Sequence, residues 1–410
     1  VAQNVLTDRF PMRLAIIADT YPPIRISGAV QMRDLVREFA AQGHAATVIV
    51  PAASLAEPWK IETAGGITVL RVRTPPTKDV NYVRRTINEM RLPHALLRGM
   101  RAAGLPLTGW EGVIWYSPTI FLGPIVRRIR QASGCRSYLI LRDIFPEWAV
   151  DMGLMGRGLP YRFFKWVEAR QYAVADTIGV QCRANLAYLA DWAAARPGRR
   201  LEVLENWLSP AAVAGCRIDI SKTKLAGRTI FVYTGNMGVA QGMDVFLEMV
   251  ARMRDRTDVG FLFVGRGSEA PRFAREAEQL GLDNVMFHDE IEPEEIPGLL
   301  AQCQFAMLAL DPRHTSHNIP GKFLTYMQAG LPVLARINPG NDLETLIVQE
   351  GVGRVCTGGD AAVLQQLAEQ LLAESISRDQ ASCRAQNLWR ERFSSPAAVA
   401  RVEHALRRPG

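Results

Sequence analysis

FVYTGNMGVAQGMDVFL, residues Phe231 to Leu247, is the stretch on which the reading of this chain turns. Phe231, Val232 and Tyr233 have the character of a buried strand end. Gly235 and Gly238 bracket a tight turn, and the spacing from Met243 to Met253 predicts an amphipathic helix. A strand that enters a glycine turn and opens a helix suits a phosphate. The helix N-terminus is partly positive, its first N–H groups are unbonded, and glycine lets an anion approach the backbone. No GxGxxG and no Walker lysine accompanies it. The stretch alone therefore fits an ordinary loop of an α/β domain equally well.

The rest of the chain bears on that choice. Its 410 residues exceed what one core organises, so two domains are expected. With 48% hydrophobic and 22% charged residues the chain is globular in composition. The six cysteines, at 135, 182, 216, 303, 356 and 383, follow no CxxC or zinc spacing, which points to reduced thiols and a cytoplasmic location. No apolar run reaches about 18 residues, so no spanning helix is expected, and no secretory signal is visible. Residues 1–11 read as a poorly ordered extension ahead of Met12. Residues 1–210 hold 27 Lys and Arg against 17 Asp and Glu, a net of +10; residues 211–410 hold 21 against 24, a net of −3. A basic first half suits an anionic partner: nucleic acid, anionic lipid or a pyrophosphate-bearing substrate. No aromatic-basic motif accompanies the charge, so a nucleic-acid binder is not expected.

Taken in order, Arg13–Ala18 predicts a strand, Asp19–Gly28 a loop, Ala29–Gln42 a helix with Gly43 at its end, and Ala45–Val50 a second strand. This βαβ unit implies a parallel sheet, whose ligands sit beyond the carboxyl ends of the strands. Further strands are expected at Ile67–Val72, Gly112–Tyr116, Ser137–Leu141, Thr177–Val180 and Leu201–Leu204. After a linker at Glu205–Pro210 the alternation restarts, with strands at Thr229–Tyr233, Gly260–Val264, Val285–Phe287, Phe305–Leu308, Pro332–Ala335 and Gly353–Val355. The expected domains are 12–208 and 209–393, with residues 394–410 forming a last helix that packs back on the first. Asn81–Gly104 interleaves Arg84, Arg85, Arg91, Arg98 and Arg101 with apolar residues. Such a segment lies on an anionic membrane or buries its apolar face in its own domain.

Two doubly wound α/β domains with their glycine turns directed at a common cleft resemble the GT-B glycosyltransferases, and the motifs extend the likeness. DTYPP (19–23) followed by SGA (27–29) resembles the first loop of the retaining glycosyltransferase 4 family. YTGNMGVAQGMD (233–244) resembles its donor loop. VGRGSE (264–269), NVMFHDEI (284–291) with EEIPGLLAQC (294–303), IPGKFLTYMQAGLPVLA (319–335) and DLETLI (342–347) follow in the family's order. RDIFPEWAVDMG (142–153) resembles bacterial members that build O-antigen, capsule or exopolysaccharide, the N-acetylfucosamine transferase-like and colanic acid-type branch.

The resemblance implies transfer of a sugar, with retention, from a nucleoside diphosphate sugar (UDP by default) to a polyprenyl diphosphate-linked saccharide. No metal or other cofactor is expected, and the enzyme would be cytoplasmic, peripheral on the inner face of an anionic membrane. Gly28, Gly235, Asn236, Gly238, Gln241, Arg266, Phe287, His288, Ile291, Thr325 and Glu344 are the donor-binding candidates. Lys322 is the candidate for charge stabilisation and Asp143 for acid/base work or acceptor orientation. Arg142 and Asp19 are placed on the acceptor side. Relatives carry Arg and Lys where this chain has Asn236 and Gln241, and two glutamates where it has His317 and Thr325. Lys322 and Arg266 are the candidates for relocated cations. Two rival readings share the architecture: a hydrolysing UDP-N-acetylglucosamine 2-epimerase-like isomerase, and a non-catalytic sugar-nucleotide-binding subunit.

Overall fold

The computed structural model describes residues 10–24, 26–213, 215–311, 319–373 and 375–407. Residues 1–9 of the expected extension, and His317, lie outside them. The chain divides into two units: one runs to Glu205 and resumes at Ser395, the other is Asn206–Ser394. No described helix is long and apolar enough to cross a membrane.

The first unit contains strands β1 (Arg13–Ile17), β2 (Ala45–Pro51), β3 (Trp59–Ala64), β4 (Ile67–Val72), β5 (Gly112–Ser117), β6 (Arg136–Leu141), β7 (Thr177–Val180) and β8 (Arg200–Val203). They form one sheet in the order β3-β4-β2-β1-β5-β6-β7-β8, parallel except for β3. Its helices are α1 (Ser27–Ala41), α2 (Tyr82–Ala102), α3 (Gly123–Ser133), α4 (Glu147–Asp151), α5 (Leu159–Tyr172), α6 (Ala184–Tyr188) and α7 (Ala190–Ala194). The second unit is a fully parallel sheet of β9 (Thr229–Thr234), β10 (Val259–Val264), β11 (Val285–His288), β12 (Phe305–Ala309), β13 (Val333–Arg336) and β14 (Gly353–Cys356), ordered β11-β10-β9-β12-β13-β14. Helices α8 (Asp244–Arg252), α9 (Ala270–Gln279), α10 (Ile296–Leu300), α11 (Gly321–Ala329), α12 (Asp342–Glu350), α13 (Ala361–Ala373) and α14 (Ser375–Leu388) connect and follow these strands. The chain closes on α15 (Ser395–Arg407).

Among the described residues, thirteen of the fourteen strands coincide with sequence expectations; β3 does not. WKIETA lacks a clean apolar alternation because β3 is an edge strand with no fully buried residue. Its signal was the Gly65-Gly66 pair, both at positive φ, which turns β3 back on β4 as a two-residue hairpin. The segment from Ala184 to Ala194 is broken into two short helices, α6 and α7.

α2 is capped by the Asn81 carbonyl group of its side chain, which accepts from the Arg84 N–H at 2.9 Å. Its Leu92, Leu96 and Met100 enter the same core as Ile125, Val126 and Ile129 of α3 and Tyr172 of α5. The helix is thus anchored in its own domain, while its arginines stay exposed. α15 packs on α1 and β6, within the first unit, and Arg401 there bonds to the Glu205 carboxylate at 3.1 Å.

Both sheets reverse their winding at one place. In the first unit β1 leads outward to β2 while its other neighbour, β5, leads the opposite way. In the second unit the corresponding pair is β9 and β12. At such a switch point the two loops diverge and leave a crevice at the carboxyl ends of the strands.

Candidate functional site

In the second unit the switch point is stitched across by two tyrosines. Lys322, on the first turn of α11, donates from Nζ to the Tyr233 hydroxyl at 2.6 Å and lies 4.1 Å above the centre of that ring. One turn on, the Tyr326 hydroxyl accepts from the Thr234 N–H at 2.9 Å. The structure therefore fixes α11 to the end of β9, with Lys322 beside Gly235: a Cβ on Gly235 would lie 3.7 Å from Nζ. Burial pulls the Lys322 amine down to about 8. A half-buried cation with no carboxylate partner among the described residues is poised to take an anion.

The glycine turn itself is more occupied than the sequence suggests. The Gly235 N–H donates to the Val264 carbonyl, and the Met237 N–H to that of Arg266. The Gly238 N–H donates to Gln241 Oε1 at 3.0 Å. Of these amides only that of Asn236 is left without a partner among the described residues. The expected cradle of main-chain amides over 235–238 is accordingly reduced to one. The helix also differs: a 3-10 turn at Val239–Gln241 intervenes, and α8 opens only at Asp244, with that carboxylate in its own first turn. The helix end adjoining Lys322 belongs to α11, whose first turn holds no acidic residue.

The other donor-side candidates separate in the structure. The Asn236 amide donates to Gln241 Oε1 at 3.1 Å, so these two candidates pair with each other. Arg266 extends into solvent, where its Nε lies 3.1 Å from Glu290, and it is not a standing free cation. Its carbonyl, not its guanidinium, supports the turn. Phe287 stacks on Phe263 with ring centres 5.0 Å apart. His288 Nδ1 lies 2.8 Å from the Asp289 carbonyl, and its own carbonyl accepts from the Gly265 N–H. Ile291 is buried in the core with Leu299 and Leu300, so its side chain is not available to a base. The Thr325 hydroxyl turns back to the Gly321 carbonyl at 3.4 Å. Glu344 is half-buried in the first turn of α12, at the end of β13, with no side-chain partner among the described residues.

Two residues that sequence reasoning passed over shape the site more than most it named. Gly265 and Gly267 stand at φ +152° and +151°. A Cβ on Gly265 would lie 2.0 Å from the Gly235 carbonyl oxygen, and one on Gly267 2.3 Å from that of Met237. The two loops lie backbone on backbone. The alternate glycines of VGRGSE were the available signal.

At the switch point of the first unit, Asp19 follows β1. Its Oδ1 is buried without a hydrogen-bond partner, and burial pushes the carboxyl up to about 6 against the opposing pull of Lys78. The neighbouring Thr20 hydroxyl is buried and unbonded as well. Gly28 is needed here for packing: a Cβ would meet the Tyr116 hydroxyl at 2.8 Å. Asp143 lies two residues beyond β6 with no side-chain hydrogen bond among the described residues; burial raises its carboxyl pKa against the opposing pull of Arg142. Arg142 is not on an accessible surface. It is buried, with Nη1 donating to the Leu204 carbonyl at 2.8 Å and Nη2 to that of Glu205 at 3.3 Å. It clamps the point where the chain leaves the first unit, which corrects its expected place beside an acceptor.

Residues 228–374 match the family described as glycosyl transferases group 1, and residues 28–207 the glycosyl transferase 4-like domain. Solved structures align over nearly the whole chain. WaaG, a glycosyltransferase involved in lipopolysaccharide biosynthesis, covers 97% of this chain and 100% of its own, with TM-score 0.60 and 14% identity. The fold is GT-B. Anabaena Alr3699/HepE, solved in complex with UDP, aligns with this GT-B chain at TM-score 0.62 and 14% identity, over 96% of this chain and 99% of that one. Among relatives, the probable glycosyltransferase WbjE of Pseudomonas aeruginosa is 24% identical over 254 residues, 61% of this chain and 63% of that protein. The putative colanic acid biosynthesis glycosyl transferase WcaI of Escherichia coli K12 is 24% identical over 261 residues, 60% of each. The chain thus spans a little over three-fifths of the length of one relative and three-fifths of the other.

Proposed function

We propose that this GT-B protein is a retaining glycosyltransferase that moves a sugar from a nucleoside diphosphate sugar, UDP-linked, to a polyprenyl diphosphate-linked saccharide in cell-surface polysaccharide synthesis. The observation that carries the donor half is Lys322 at the β9–β12 switch point, beside the opening turn of α11. Departure of a nucleoside diphosphate builds charge on the β-phosphate. Lys322, the Asn236 N–H and the positive end of α11 supply the opposing charge, and the work falls to them without a metal. The match to glycosyltransferase families over both halves supports the reaction class, and the UDP complex of HepE supports uridine as the base.

Asp143 and Asp19 are assigned to the acceptor, Asp143 to orient its hydroxyl. The acceptor's lipid places the work at the inner face of the plasma membrane. In the first unit, Tyr82, Val83, Ile87 and Met90 are exposed among the arginines of α2, and Trp148, Met152, Leu154, Leu159 and Trp166 are exposed on and around α4 and α5. Apolar side chains set among arginines suit an anionic bilayer surface. Flotation with vesicles containing phosphatidylglycerol is expected to carry the protein upward at low salt; equal behaviour with neutral vesicles would remove the membrane from the account.

The donor is tested by thermal shift against a panel of nucleotide sugars, since a ligand that binds only the folded state raises its melting temperature. A UDP-sugar is expected to raise it by several degrees. A shift with none of the panel would end the donor assignment. The paired Asn236–Gln241 and Arg266–Glu290 side chains favour a second reading, a binding subunit without turnover. That reading stands if a shifting nucleotide sugar is left unconsumed in the presence of a lipid-linked acceptor extract.

A further inference from the structure

In the sequence Tyr233 is only the last bulky residue of a buried strand. In the structure its side chain is fully buried and its hydroxyl sits between two partners. Lys322 Nζ lies 2.6 Å away, and the Asn236 carbonyl oxygen also 2.6 Å away. The chemistry fixes the direction of this chain of bonds. An ammonium has donors only, so the phenol oxygen accepts from Lys322 and its proton is given to Asn236. Burial holds the phenol's pKa far above its ordinary value, so it keeps that proton across the working range of pH.

The hydroxyl is not demanded by packing. The ring already faces Phe263, centre to centre at 6.1 Å, and phenylalanine would fill the same space. What the hydroxyl adds is a tie between two chain segments 89 positions apart. The peptide it grips, Asn236–Met237, is held at its other end by the Arg266 carbonyl. We propose that Tyr233 is a positioning residue of the donor site, its hydroxyl joining the Lys322 ammonium to the Asn236 carbonyl so that cation and turn meet a diphosphate as one preorganised unit. This rests on the donor-site reading given above. Preorganisation acts by removing the cost of ordering a flexible lysine at the moment of binding. Among the described residues, the titratable groups around Lys322 are Tyr233 from β9 and Tyr326 on its own helix, the latter bonded to Thr234. Burial is the cause of its lowered pKa among these neighbours.

The test is calorimetric titration with UDP on four proteins: wild type, Tyr233→Phe, Lys322→Met and the double variant. Tyr233→Phe is expected to weaken UDP about tenfold. In the Lys322→Met background the same change is expected to alter affinity less than twofold, because the residue it acts through is gone. Wild-type affinity should also fall about tenfold per pH unit above pH 8, a slope that Lys322→Met abolishes. A folding defect in Tyr233→Phe would weaken binding equally in both backgrounds, so equal losses would overturn the proposal, as would no loss in either. If the wild type binds no UDP at millimolar concentration, the donor-site reading itself fails and the inference with it.

Discussion

Lys322→Met is expected to cut sugar transfer by roughly 10²- to 10³-fold, the loss typical when one preorganised group that meets developing charge is removed. Lys322 is half-buried at the switch point and held by Tyr233, so its charge is less screened by water than that of an exposed lysine. The alternative cation, Arg266, is already paired with Glu290 in solvent and does not compensate. The same substitution should stabilise the fold. Burial lowers the Lys322 pKa from 10.5 to about 8. A lysine depressed in the folded state costs stability in full below the folded value. That cost fades as pH rises toward the unfolded value, where both states lose the proton. The methionine variant should therefore melt a few degrees higher than wild type at pH 7, with the gap closing near pH 10.5. Steady-state assays and melting curves from pH 7 to 10.5 check both parts. Turnover within threefold of wild type would remove Lys322 from the chemistry.

Gly265→Ala is expected to destabilise the second unit by about 3 kcal/mol or more and to abolish the nucleotide-induced rise in melting temperature. The methyl group would have to occupy space 2.0 Å from the Gly235 carbonyl oxygen, at a φ of +152° that side chains rarely adopt. The only relief is separation of the two loops, which breaks the Met237–Arg266 bond and releases the turn. Gly267→Ala should act in the same way through Met237. Gly358→Ala, where nothing lies within 4 Å of the added atom, is the control and should melt within a degree or two of wild type. Gly265→Ala with a wild-type melting curve and an intact nucleotide response would mean that the loops do not need this contact.

The fold was legible because buried parallel strands leave a strong local trace. Runs such as Phe261–Val264 and Ala306–Leu308 have no reason to be apolar throughout unless helices cover both faces. β3 escaped because an edge strand carries no such trace. The place of Lys322 at a helix start was legible for a related reason: a lysine just after Pro320-Gly321 has little freedom in where its chain enters. Arg142 and Ile291 are buried where accessible groups were expected, and Arg266 and Gln241 keep their loops but have side-chain partners, because residue type and loop position say which groups are near a rim, and not which partners have already claimed them.

By itself the sequence determined two α/β halves, their strand ends and the rim residues, since each follows from local periodicity and glycine placement. Only the tertiary structure decided which of those rim groups remain available. Val264, Arg266 and Gln241 take up the amides at 235–238, while Tyr233 and Tyr326 bind α11 to β9 and leave Lys322 at the switch point. The reason is that hydrogen-bond satisfaction is settled between segments distant in the chain, where a 2 to 3 Å approach depends on how the strands are ordered and not on any residue's neighbours in sequence.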